Sequence, residues 1–445
     1  MQEIVEQFRE QVRAASATGA PLRIRGGGTK DWYGQALVGS VLDTRAYAGV
    51  VDYEPTELVI TVRCGTLLSE VEALLTQHRQ MLAFEPPRFG SASTIGGVVA
   101  CGLSGPRRAS AGAVRDFVLG AQLMDGRGEL LNFGGQVMKN VAGYDVSRLL
   151  CGSLGTLGLI TEVSLKVLPM PFREETIRFE MDEITALSRM NAWAGQPLPV
   201  SATCWRDGVL SVRLSGADAA VRAALLKLGG EQVADGAGFW AALRDQTHSF
   251  FSGHAAQIVA AAGGGAHAVV GVGGAVDADA GAGGALWRLS VPSTASALIL
   301  GGEQLIEWGG AQRWLRTPAG ADASADAATI RRTVAAAGGH ATLYRRAGSG
   351  ILDAAPGALA ATAADDARGS GYSGGELGRG EGGVGARAAA AGGGGAAGAG
   401  DGGQGHGAGD GEPVFHPLAP AVARIHERLK AGFDPSGVFN PGRMY

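Results

Sequence analysis

The apolar positions of this chain repeat with two periods, and the switches between them outline its elements. In residues 1–20, Ile4, Val5, Phe8 and Val12 recur at spacings of 1, 3 and 4, the signature of one helical face. Residues 22–25 read as a short strand that runs into Gly26-Gly27-Gly28-Thr29-Lys30. Residues 58–63 (LVITVR), β-branched and bounded by Pro55 and Gly65, predict a second strand. Thr66 is positioned to cap the next helix, whose apolar face is Leu67, Leu68, Val71, Leu74 and Leu75. A further apolar piece at 81–84 completes an α+β unit. The runs 117–124 and 129–133 flank Asp125-Gly126, a hairpin signal, and alternation over 160–168 predicts a strand ended by Pro169 and Pro171.

From about residue 172 the pattern becomes that of a small α+β domain with an antiparallel sheet. Strands are expected at 174–181 and in a hairpin over 203–215 turning at Asp207-Gly208, with an alanine-rich helix at 217–227. Residues 286–292 and 304–314 continue the sheet, a helix follows at 327–337, and Trp287, Trp308 and Trp314 are expected in its core. The tail carries an amphipathic helix at 419–433, with Val422, Ile425, Leu429 and Phe433 on one face. Two proline turns follow, and Phe433, Val438 and Phe439 predict that this end docks rather than frays.

One stretch organises the N-terminal half. Residues 86–116 (PPRFGSASTIGGVVACGLSGPRRASAGAVRD) are too rich in Gly, Ser and Ala for a packed helix or central strand, and too ordered for a linker. So many glycines inside a globular domain imply close approach to something large. The turn at 26–30 exposes consecutive N–H groups suited to an anion such as pyrophosphate, although those residues taken alone favour a tight surface turn. It is neither a Walker loop, since the order is Gly-Thr-Lys, nor a G-x-G-x-x-G fingerprint. The glycines of 152–158 fit close packing or ligand contact.

Composition narrows the class. The 445 residues, 46% of them from the hydrophobic set, allow two or three domains. A net charge of −4 and a pI near 6.1 disfavour nucleic acid as a partner. Four cysteines with no CxxC pair predict buried thiols in a reducing cytoplasm, with no disulfide or metal set. No apolar run reaches the roughly 18 residues of a membrane span, and residues 1–15 lack the apolar stretch of a secretory signal. Residues 255–284 and 349–412, mostly Gly and Ala, hold too few large apolar side chains to offset chain entropy. The longer is expected to be disordered, either an insertion or a span translated from a shifted reading frame.

Three separated motifs then align: RGGGTK at 25–30, STIGGVVACGLSGPRRASAGAVRD at 93–116 and GSLGTLGLITEVSLKVLP at 152–169. Together they resemble the PCMH-type, or vanillyl-alcohol-oxidase-type, FAD-binding domain. FDPSGVFNPGRMY at 433–445 resembles the end of the 2-hydroxy-acid branch, the family of glycolate oxidase FAD-binding subunits. The resemblance covers about 1–250, 286–346 and 413–445. It implies an α+β fold: a PCMH-type domain of two α+β subdomains over 1–171, a smaller antiparallel-sheet α+β domain over 172–348, the low-complexity span 349–412, and a helix and tail at 413–445 returning to the flavin.

Carried onto this sequence, Gly26, Gly27, Gly28, Thr29 and Lys30 would meet the pyrophosphate through their N–H groups. Ser93, Thr94, Ile95, Gly96 and Gly97, with Gly102, Ser104 and Gly105, would line the pyrophosphate and isoalloxazine side. Gly112, Arg115 and Asp116 would close the loop, Gly155, Gly158 and Ile160 would support the adenosine half, and Asn440 and Arg443 would bring the tail to the flavin. Where some relatives carry a flavin-linking histidine this chain has Thr29 or Lys30, which implies non-covalent FAD. The GDGNxH-like motif of the related catalytic subunits does not occur. His416 could approach the flavin, whereas His426 reads as a packing or surface residue. The catalytic residues are therefore unassigned. The resemblance implies an FAD-dependent oxidoreductase subunit that works with a catalytic flavoprotein and an iron–sulfur subunit, oxidising glycolate or a similar 2-hydroxy acid and passing electrons to an acceptor such as quinone. The expected location is cytoplasmic, peripheral at the inner face of the membrane through its partners. A self-sufficient 2-hydroxy-acid dehydrogenase and a flavin-free scaffold are the alternatives.

Overall fold

The strands Val118–Met124 and Leu159–Lys166 are almost continuously buried, as strands covered on both faces must be. They lie in the middle of a five-stranded antiparallel sheet, in the order Val50–Glu54, Val59–Arg63, Leu159–Lys166, Val118–Met124, Leu130–Gly134. The computed structural model describes residues 1–135, 146–252, 284–318, 323–347 and 412–444, which belong to one compact unit. Apart from Gly284 and Glu412, the expectations for 255–284 and 349–412 lie outside the described residues.

The expected hairpin at Asp125-Gly126 forms, pairing Met124 with Leu130. The helix Leu68–Gln77 buries Leu68, Val71 and Leu75 on the sheet. Thr66 does not cap it. Its hydroxyl donates to the Arg63 carbonyl at 2.7 Å and accepts from Gly49 N–H at 2.9 Å, which closes the preceding turn instead. The expectation that 86–116 avoids helix is also overturned, since Ile95–Cys101 and Arg108–Ala111 are helical. Ile95, Val98 and Val99 drive the first of these into the core, while a Cβ on Gly96 would lie only 2.7 Å from the Cys64 Cβ. The glycine lets this helix press on its neighbour, so it is a packing device and not a helix breaker here.

A second small core joins the two ends of the chain. Phe8 and Val12 of the helix Gln2–Thr18 pack with Leu22, Leu42, Val438 and Phe439. The strand Leu22–Arg25 runs parallel to Ser40–Asp43 and bridges Phe439 in parallel on its other edge. Leu22 N–H donates to the Val438 carbonyl, and Asn440 N–H donates to the Leu22 carbonyl, each at 2.8 Å. The tail thus adds a strand-like edge to the first strand.

The second half forms an eight-stranded antiparallel sheet, the antiparallel sheet expected there. Its order is Glu231–Gln232, Arg173–Glu180, Val209–Gly216, Val200–Arg206, Glu303–Glu307, Gln312–Arg316, Leu286–Ser290, His340–Arg345. Asp207 and Gly208, both at positive φ, make the expected hairpin turn. The run 304–314 is two strands rather than one. Trp308 (φ 54°), Gly309 (φ 65°) and Gly310 (φ 101°) reverse the chain between them. The helices Glu183–Ala194, Asp218–Leu228 and Ala323–Ala336 pack against this sheet. Trp287, Trp308 and Trp314 are all buried, as expected.

The two halves share a third core, in which Tyr33, Leu103 and Leu154 meet Trp240, Leu305, Trp314 and Tyr344. An ion network crosses the same boundary. Glu85 pairs with Arg107 at 3.3 Å and with Arg213 at 2.9 Å, and Arg107 pairs with Glu174 at 2.6 Å. On the tail helix Pro420–Phe433 the expected apolar face is only half used. Leu429 and Phe433 pack on the N-terminal core, whereas Val422 and Ile425 are 40% and 55% exposed. The helix meets that core through its last turns only.

Candidate functional site

A cleft lies where the first strand, the helix Ile95–Cys101, the glycine loop around 152–158 and the tail converge, with about 780 Å³ of empty space open to solvent. Gly26, Gly27, Gly28, Thr29 and Lys30 line one wall, Thr94, Gly96 and Gly97 another, Gly155, Gly158 and Ile160 a third, and Asn440 and Arg443 close it. Gly27 has no room for a side chain, because a Cβ would sit 1.6 Å from the Ala92 carbonyl oxygen. Two glycine-rich segments therefore touch through bare backbone.

The cleft is built for an anion. The backbone N–H groups of residues 26 to 30 donate no hydrogen bond among the described residues. Lys30 is 8% exposed and makes no ion pair among the described residues. Its ammonium donates to the Ser93 hydroxyl at 2.8 Å, and burial holds it below the ordinary lysine range, which Cys101 and Asp245 only partly offset. A buried cation without a counter-charge costs several kcal/mol and is relieved by an anionic ligand. Arg443 adds a second positive charge. It donates to the carbonyls of Asp31 and Tyr33, each at 2.6 Å, and of Gln35. Asn440 fixes the tail: Ile24 N–H donates to its Oδ1 at 2.8 Å, and its Nδ2 donates to the Leu154 carbonyl at 2.6 Å.

The structure brings thirteen of the residues singled out from sequence into this cleft: Gly26, Gly27, Gly28, Thr29, Lys30, Thr94, Gly96, Gly97, Gly155, Gly158, Ile160, Asn440 and Arg443. The others lie elsewhere. Ser93 is the acceptor for Lys30, and Ile95 points into the core. Gly102 ends the helix in a left-handed conformation against Gly152. Ser104 accepts from Val114 N–H, and Gly105 accepts from Trp308 Nε1. Gly112, Arg115 and Asp116 form a turn in which Asp116 accepts from Ala113 N–H at 2.8 Å. His416 packs beside Ala341, and His426 lines a groove along the tail helix. Thr44, Cys64 and Tyr33 line the cleft without any motif to announce them, and Cys101 and Leu154 line it from within the second and third motifs. Burial pushes the Cys64 thiol up to about 12 and Cys101 upward, so both are neutral lining. No disulfide forms, and no cluster of metal-ligating side chains occurs among the described residues.

The model of the FAD binding domain family matches residues 3–134, the segment that supplies two walls of this cleft. The glycolate oxidase subunit GlcE of Escherichia coli (strain K12) is 40% identical over 436 residues, spanning 98% of this chain and 96% of that protein. The chain belongs to the family of that glycolate oxidase subunit. It is an FAD-binding member of the FAD-linked oxidoreductases. The glycolate oxidase subunit GlcD of Bacillus subtilis (strain 168) is 31% identical over 38% of this chain and 36% of its own length. The fold is that of an alkyldihydroxyacetonephosphate synthase, with TM-score 0.56 at 13% identity over 98% of this chain and 74% of that one. As a glycolate oxidase subunit by family, the chain is one component of a multi-subunit assembly. Among the described residues no helix is long and apolar enough to cross a membrane.

Proposed function

We propose that this chain is the FAD-binding subunit of a complex that oxidises glycolate, or a similar 2-hydroxy acid, to the 2-oxo acid. It would work beside a catalytic flavoprotein subunit and an iron–sulfur subunit, with electrons passing to an acceptor such as quinone, and it would be peripheral to the membrane through them. The observation that carries the reading is the buried Lys30 ammonium, in no ion pair among the described residues, beside N–H groups of residues 26–30 that donate to none of them. That donor set suits a diphosphate. When bound, FAD supplies the two-electron acceptor that alcohol oxidation requires.

The chain's own residues would do the rest. Lys30 and the N–H groups of 26–30 would hold the diphosphate, without a covalent link. Gly96 and Gly97 would let it approach the helix backbone. Gly155, Gly158 and Ile160 would support the opposite end. Asn440, hydrogen-bonded to both Ile24 and Leu154, would keep the tail closed over the cleft and exclude water. The domain limits inferred above, with the FAD-binding part ending near residue 171, remain part of this reading.

The test is co-expression with the neighbouring subunits, with flavin and iron counted per chain and glycolate-dependent dye reduction assayed. The expected result is one flavin on this chain and glycolate oxidation by the assembled complex. A chain that is colourless and refuses added FAD overturns the reading.

A further inference from the structure

The tail helix Pro420–Phe433 stands partly off the body of the molecule. None of its residues is buried, and it reaches the N-terminal core only through Leu429 and Phe433. A groove with about 1350 Å³ of empty space, open to solvent, runs between this helix and the loop 149–157. Its walls are mainly apolar, with Leu149, Leu157, Leu418, Leu429 and Met444. Lys430 also lines it, but its ammonium is committed elsewhere, donating to the Thr156 and Phe439 carbonyls, each at 2.7 Å, and to Asp434 at 2.5 Å.

Beside the groove the helix carries two features that the body does not use. Val422, Ile425 and Leu429 recur at spacings of 3 and 4, so the exposed pair Val422 and Ile425 continues the stripe that anchors the helix. On the opposite wall Leu149 is exposed as well. Arg424 and Arg428, one turn apart, are exposed and make no hydrogen bond or ion pair among the described residues. Like charges at that spacing weaken a helix, and an acidic neighbour relieves them. The helix itself offers only Glu427 against Arg424, Arg428 and Lys430.

We propose that this face is where a companion subunit docks, through an amphipathic helix whose apolar side chains enter the groove and cover Val422 and Ile425, and whose carboxylates pair with Arg424 and Arg428. The choice of a companion subunit rests on the function proposed above, whereas its acidic, apolar-faced character rests on the helix surface alone. Three other occupants fit less well. In a two-fold pairing of two copies the same surface meets itself, which brings the basic side chains of both together. A bilayer surface has no side chains to insert and leaves the groove beneath the helix unfilled. Residues 349–411 of this chain are mostly Gly and Ala, with few large apolar side chains to fill it.

The experiment measures, by biolayer interferometry, the affinity of the flavin-loaded full-length chain for the purified neighbouring subunits. Wild type is expected to bind them, more weakly as salt rises. Ile425→Glu is expected to weaken binding by at least about tenfold. Arg424→Glu combined with Arg428→Glu is expected to do the same and to remove the salt dependence, while Ile425→Leu binds as wild type does. These three residues line neither the cofactor cleft nor the groove, so flavin content and melting temperature of the isolated variants are expected to stay at wild-type values. A lowered melting temperature in isolated Ile425→Glu would mean that this chain covers the face itself, and overturns the proposal. Unchanged subunit affinity in the Ile425→Glu and arginine variants overturns it too, whether or not Ile425 then proves to serve a dimer of this chain or binding to phosphatidylglycerol vesicles. A flavin-loaded wild type that binds no neighbouring subunit brings down both this surface and the assembly proposed above. A colourless chain that still binds them through Ile425 would instead defeat the flavin reading and leave this surface standing.

Discussion

Lys30 donates a 2.8 Å hydrogen bond to Ser93, and this neutral hydroxyl is its shortest contact in a nearly closed setting. The pairing orients the ammonium without neutralising it. Lys30→Met is therefore expected to weaken FAD binding by about 1.5–3 kcal/mol, or about ten- to a hundredfold. The flavin-free protein is expected to become no less stable. Flavin fluorescence titration and thermal melts of the flavin-free protein read the two effects. The pH sign follows from burial. Because the folded protein holds Lys30 below its ordinary range, it binds that proton less tightly than the unfolded chain does. Flavin-free wild type should gain stability as pH rises through the folded value toward 10.5, and Lys30→Met should lose that gain.

Asn440 satisfies a strand N–H and a loop carbonyl with one side chain. Asn440→Ala leaves both without a partner, at a cost of about 1–3 kcal/mol. The expected result is faster flavin loss and earlier proteolytic cleavage near the tail, checked by flavin release kinetics and limited proteolysis. Unchanged flavin retention would mean that the tail does not guard the cleft.

Glu85 sits between Arg213 and Arg107 where the two halves meet. Burial raises its pKa, but the two guanidiniums outweigh that and hold it below the usual carboxylate range. Its contribution to stability is thus complete above the usual 4.5 and is lost as pH falls through the folded value. Arg213→Met should cost about 3–5 kcal/mol in urea unfolding at neutral pH, since it breaks a buried pair from one side. Acid unfolding should also begin at higher pH in that variant.

Glu307 has the opposite sign. Its carboxyl is raised from 4.5 to about 7, so the folded state holds the proton more tightly. The associated stability is complete below pH 4.5 and is lost as pH rises through 7, by up to about 3 kcal/mol. Glu307→Gln should flatten this slope, measured by melting temperature from pH 4.5 to 8.

Much of the fold was legible because the side-chain periods are strong where one face is buried. Leu68, Val71 and Leu75 announced their helix, and the alternating strands around Asp125-Gly126 and Asp207-Gly208 announced their hairpins. Glu183–Ala194 was legible and passed over, since Asp182 caps it and Ala186, Leu187, Met190 and Trp193 fall on one face. The glycine-rich helix at Ile95–Cys101 was hidden because local propensity argues against it, and tertiary contact with Cys64 overrides propensity. The cleft was readable through its glycines and its tail motif. Cys64, Thr44 and Tyr33 were not, because they reach it only through packing.

The joining of Asn440 to Ile24 links groups 416 residues apart in sequence, and this sets a clock on biosynthesis. At about 5–20 residues per second, the first strand leaves the ribosome roughly 20–80 s before its last partner is made. Through that interval the Lys30 wall exists without its closing edge. If the tail closes the cleft as proposed, cofactor capture is expected to fall after translation is complete, and a product cut short before the tail is expected to be unloaded, with an open, glycine-lined edge that proteolysis can recognise.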